Sequence, residues 1–68
     1  MIDDKELALK MKPSIKRFKF QHEELLAIAV AVKQNPEKMQ DCIDFLNDAD
    51  TSKSSEDIKN QIIEICYR

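Results

Sequence analysis

The run LLAIAVAV at residues 25–32 constrains the fold more than any other stretch, because it fits two periods at once. Leu26, Ile28, Val30 and Val32 alternate with Ala27, Ala29 and Ala31, the period of a strand. Leu25, Ile28, Ala29 and Val32 also fall at i, i+3, i+4 and i+7, the stripe of a helix. Alanine favours helices and is depleted in strands. Glu23 and Glu24 precede the run and Lys33 closes it, the order that suits a helix macrodipole, and Asn35-Pro36 supplies a stop. The pattern predicts a central helix over 22–34. Leu26 and Val30 form a second apolar stripe beside the first, and an arc this wide implies burial on two sides, with both residues in the core.

The chain has no glycine, the residue that tight hairpins normally use, which weighs against a meander of short strands. The expected fold is all-α: a small bundle of three to four short helices forming a single domain over 1–68. At 68 residues the chain is near the lower limit for a self-supporting core, so self-association is expected. A deep substrate pocket is hard to enclose at this size, and no enzyme activity is expected.

Local grammar places the other elements. Asp3 can cap a first helix over 4–11, with Glu6 completing a capping box and Ile2 and Leu7 placed as a hydrophobic staple. Pro13 should end it, because Lys12 before a proline disfavours αR geometry. In SIKRFKF, residues 14–20, Phe18 and Phe20 alternate with Arg17, Lys19 and Gln21, so the segment is either an extended connector whose phenylalanines anchor it to the core or a short strand whose partner comes from another subunit. Asn35 can cap a third helix over 36–47 with Pro36 in its first position. Met39, Cys42, Ile43 and Leu46 form its inner face. A polar linker at 48–54 precedes a last helix over 55–67, capped by Ser54 or Ser55 and buried through Ile58, Ile62, Ile65 and Cys66. Ile63 and Tyr67 fall off that stripe, so they either widen the buried face or contact a partner.

The net charge of −2 hides an asymmetry: residues 1–20 carry six basic and three acidic side chains, and residues 21–57 carry three basic and nine acidic. Glu37, Asp41, Asp44 and Asp48 are spaced i, i+4, i+7 and i+11 along the third helix. They are either a solvated face or a partner-binding surface. Asp44 and Asp48 stand near the helix C-terminus, where negative charge opposes the dipole. The basic run from Lys10 to Lys19 offers Lys12, Lys16, Arg17 and Lys19 for contact with nucleic acid or an acidic partner, or for pairing with the chain's own acidic stripe. A basic–aromatic ribbon (RFKFQ) followed by two helices resembles, in layout over residues 15–47, the ribbon-helix-helix repressors and antitoxins. That resemblance implies a dimer laying residues 15–21 in the major groove of DNA. The NPEKMQ corner and the helices on both sides of the unit depart from it.

Cys42 and Cys66 lie on apolar faces and read as buried, inert thiols, with no C-x-x-C pair and no disulfide framework. His22 is the only histidine, so metal ligation is not expected. The DADTSKSSED loop starts like a calcium loop but has Lys53 and Lys59 where glycine and glutamate are required. No cofactor or small-molecule substrate is expected. The chain has no signal-peptide layout and no membrane-spanning run, so a cytoplasmic location is expected. The functional expectation is a non-enzymatic protein-binding module, a regulator, inhibitor or assembly factor in the style of phage or plasmid accessory proteins. It would act through Glu37, Asp41, Asp44 and Asp48 and exposed apolar residues. Its partner would be a protein, a homodimer is an option, and nucleic acid ranks behind.

Overall fold

Each apolar stripe becomes a helix in the computed structural model, which describes residues 3–68. The helices are α1 (Asp4–Ile15), α2 (His22–Gln34), α3 (Met39–Asp48) and α4 (Ser55–Cys66), with a single 3-10 turn, Pro36–Lys38, leading into α3. Among the described residues there is no strand, and none takes a positive φ. The fold is the expected all-α bundle. The expected staple involves Ile2, which lies outside the described residues.

Two expected caps form, at Asp3 and Ser54, Gln21 and Glu24 close a third start, and the capping box expected of Glu6 does not form. Asp3 accepts the Glu6 N–H at 2.8 Å, while Glu6 turns its carboxylate to Lys10, 3.4 Å away. Glu24 accepts the Gln21 N–H at 2.7 Å, and Ser54 accepts that of Asp57 at 3.2 Å. Each bond satisfies a donor that the first or preceding turn would otherwise leave unpaired.

The most extensive packing joins α2 and α4, which run in the same direction. At one end Ser55 Oγ donates to Glu24 (2.8 Å), and at the other Tyr67 Oη donates to Gln34 (2.6 Å). α3 covers another side of α4, and α1 closes against α2 and α3. The core holds Leu7 and Met11 of α1, Ile28, Ala31 and Val32 of α2, Cys42 and Leu46 of α3, and Ile58, Ile62 and Cys66 of α4, with Phe18 from the first connection.

Four further expectations need correction. Pro13 does not end α1, which runs on to Ile15. Met11 and Ser14 are buried, Ser14 Oγ donates to Asn47 at 2.8 Å, and the Lys16 N–H reaches the Lys12 carbonyl at 3.0 Å. This anchoring outweighs the local pre-proline preference. The missing proline N–H leaves the Leu9 carbonyl without its helical donor, on a residue that faces solvent. Because the defect lies near the end of α1, Pro13→Ala is expected to stabilise the fold by about 1–2 kcal/mol, less than the mid-helix penalty. It should appear as a higher urea midpoint at unchanged slope. A lower midpoint would mean that the ring's own packing outweighs the lost hydrogen bond.

The segment 14–20 is not the strand that its alternating phenylalanines suggest. Ser14 and Ile15 are helical, residues 16–18 turn, and only 19–21 are extended. Phe18 is buried and meets Phe20 with ring centroids 5.7 Å apart, so the aromatics anchor the connection to the bundle.

Asn35 does not cap the third helix. Its side-chain amide donates back to the Ala31 carbonyl at 3.0 Å, finishing α2, and the chain passes through the 3-10 turn before α3 begins at Met39. Finally, Leu26 and Val30 are not in the core: they are 53% and 52% exposed. The neighbours of α2 cover the side bearing Ile28, Ala31 and Val32, and no other element among the described residues covers the opposite face.

Candidate functional site

Three of the four acidic residues lie on the helix where spacing put them, and the first stands ahead of it. Glu37 is on the 3-10 turn, Asp41, Asp44 and Asp48 are on α3, and all four are exposed. Cys42 and Leu46 are the fully buried residues of α3, which turns its carboxylates to water because its apolar stripe turns inward. Gln40 donates to Asp44 at 3.0 Å. Among the described residues no ion pair involves any of the four carboxylates; the pairs present are Lys10–Glu6, Lys33–Asp4 and Arg68–Glu64.

The basic run therefore does not neutralise the acidic stripe through direct pairs. Lys12, Lys16 and Lys19 are exposed. Arg17 instead turns to the backbone. Its guanidinium donates to the Leu46 carbonyl near the C-terminal end of α3, and it lies over the Phe18 ring, 5.8 Å from the centroid. A cation at a helix C-terminus opposes the partial negative charge there. Arg17 thus offsets the unfavourable placement of Asp44 and Asp48 through the backbone, leaving both carboxylates free to face outward. Arg17 is the only arginine in the basic run and stands in the turn after α1, but no local pattern in the sequence names its partner on α3.

Cys42 and Cys66 are 24 positions apart, yet their Sγ atoms are 3.5 Å apart in the centre of the bundle, both as free thiols. Burial pushes the Cys42 thiol up to about 12, with its contact to Cys66 acting in the same direction and Asp41 adding to it. Burial also raises the Cys66 thiol, against the opposing effect of the Cys42 hydrogen bond. Such groups carry little thiolate at neutral pH and make poor nucleophiles. His22, the one imidazole available to activate a thiol, stands exposed at the start of α2. In the linker, Asp50 accepts the Ser52 N–H at 2.9 Å, and that bond holds its carboxyl below the usual range. Among the described residues no three His, Cys, Asp or Glu side chains converge as a metal-binding group would.

Two apolar features escaped the sequence. An open groove of about 340 Å³ runs between α1 and α2 over Leu7, Met11, Ile15, Leu25 and Ala29, with Asp4 and Lys12 also on its wall. A shallower surface joins Leu26, Ala27 and Val30 of α2 to Ile63 and Tyr67 beside α4. No described helix is long and apolar enough to cross a membrane. Compared with known proteins, the chain matches no family model, no curated protein and no solved structure.

Proposed function

We propose that the chain is a non-enzymatic protein-binding module, a small regulator, inhibitor or assembly factor, that presents the acidic face of α3 to a basic partner. One observation carries this reading: Glu37, Asp41, Asp44 and Asp48 all stand exposed, with none of them in an ion pair among the described residues. Exposed carboxylates without direct ion pairs draw a cationic partner and help to fix its orientation. The non-catalytic part of the reading is supported by the dispersal of the titratable groups over solvated faces and by the suppressed reactivity of both thiols. Two free buried thiols also fit a reducing, cytoplasmic setting.

The DNA-binding alternative loses its main support, because Ser14 and Ile15 are helical and Phe18 is buried. What remains to it is the exposed set Lys12, Lys16 and Lys19. An NMR titration of the 15N-labelled chain separates the two readings. A cationic helical peptide should shift the amides around Glu37, Asp41, Asp44 and Asp48, more weakly as salt rises. Asp41→Lys combined with Asp44→Lys should remove those shifts while the rest of the spectrum keeps its dispersion. If the peptide leaves α3 unmoved while a DNA duplex shifts Lys12, Lys16 and Lys19, the acidic-face reading is overturned.

A further inference from the structure

The outer face of α2 carries a pattern complementary to itself. Glu23, Leu26, Val30 and Lys33 are all exposed and succeed one another at intervals of three, four and three residues. The order is acid, apolar, apolar, base, symmetric about the level of Ile28. We infer that this face is the contact surface for a second copy of the chain, with the two α2 helices packed antiparallel about a two-fold axis at that level. Turning one copy end for end sets each Leu26 level with Val30 of the other copy, and each Glu23 level with Lys33. A parallel arrangement would set like charges level, so charge complementarity selects both the occupant and its direction.

Three further features fit this arrangement. Leu26 and Val30 are each a little over half exposed, and Tyr67 beside them is 55% exposed, so the strip is one apolar surface and not an isolated side chain. Ala27 borders the strip on the side of Ile63 and Tyr67, and its small side chain leaves room for a second helix there. Lys33 already pairs with Asp4 of its own chain at 2.6 Å. An ammonium has three donors, so that bond leaves two for a facing Glu23. The inference rests on α2 alone and is independent of the acidic face. Because α3 packs against α4 and α1, the dimer would leave both acidic faces open and make the module bivalent.

Sedimentation equilibrium on the full chain, from micromolar to millimolar concentration, tests the inference. The unaltered chain should show a monomer–dimer equilibrium. Leu26→Asp and Val30→Asp should each weaken dimerisation about tenfold or more while keeping the helical circular dichroism, since each change acts twice across the two-fold. Glu23→Lys should also weaken it, and combining it with Lys33→Glu should restore it. Rescue is the signature of the antiparallel register, because exchanging the two charges recreates the same complementarity. A chain that stays monomeric at millimolar concentration, a dimer indifferent to Leu26→Asp and Val30→Asp, or a folded double variant no better than Glu23→Lys alone would each overturn the inference.

Discussion

Ile62→Ala should remove about 2–5 kcal/mol of stability, the range for truncating a fully buried aliphatic side chain. Ile62 is 0% exposed and sits on α4 between Ile58 and Cys66, on the face that meets the rest of the core. The loss combines the transfer energy of the missing carbons with the cavity they leave, which two neighbouring helices cannot close without moving. A chain this small has a total stability of roughly 3–10 kcal/mol at the usual value per residue. One truncation at this site should therefore leave a large unfolded fraction near body temperature. Urea denaturation followed by circular dichroism gives the measurement, with Leu9→Ala as the comparison. Leu9 is 70% exposed, and its truncation should stay within about 0.5 kcal/mol of the parent. If the two variants proved equally stable, the inner face of α4 would not be the core.

Raising the pH above the ordinary thiol range should destabilise the chain through Cys42. Its pKa moves from 9.0 in an exposed cysteine to about 12 in the fold. Between those values the unfolded chain releases the proton and the folded chain retains it, so stability falls as pH rises. The slope from this one group approaches about 1.4 kcal/mol per pH unit, and the loss is complete only above the folded value. Below about pH 9 the thiol is protonated in both states and contributes no slope. The diagnostic quantity is the difference between the parent and Cys42→Ala. The parent should lose stability more steeply between about pH 9 and pH 11. Parallel curves would mean that water or a rearranged Cys66 solvates the thiolate inside the fold.

The elements legible in the sequence were those whose signals were local. The alanine-rich run resolved to a helix with the bounds that Glu23, Lys33 and Asn35-Pro36 set. Asp3 and Ser54 capped as their positions implied, and the acidic stripe followed from spacing alone. Misreadings came where a distant contact decided the outcome. Pro13 continues a helix because Ser14 is held by Asn47, more than thirty positions away. Leu26 and Val30 stay outside because four short helices leave one face of α2 uncovered, and periodicity gives the width of an apolar arc without saying what covers it. The approach of Cys42 to Cys66 depends on how α3 crosses α4, which no spacing within either helix encodes. Arg17 looked like one charge among several until its carbonyl partner on α3 was in view.

That no described residue takes a positive φ has a consequence for the state the chain folds from. Lys16, Asn35, Ala49 and Tyr67, the residues that close the four helices, all have negative φ, between −134° and −60°. The joints are therefore made by residues that carry a Cβ, in conformations open to any L-amino acid. A glycine-free chain samples fewer conformations when denatured, so it has less backbone entropy to lose on folding. In a domain with so few buried side chains, part of the native state's advantage thus comes from restricting the disorder of the unfolded ensemble, where no native contact records it.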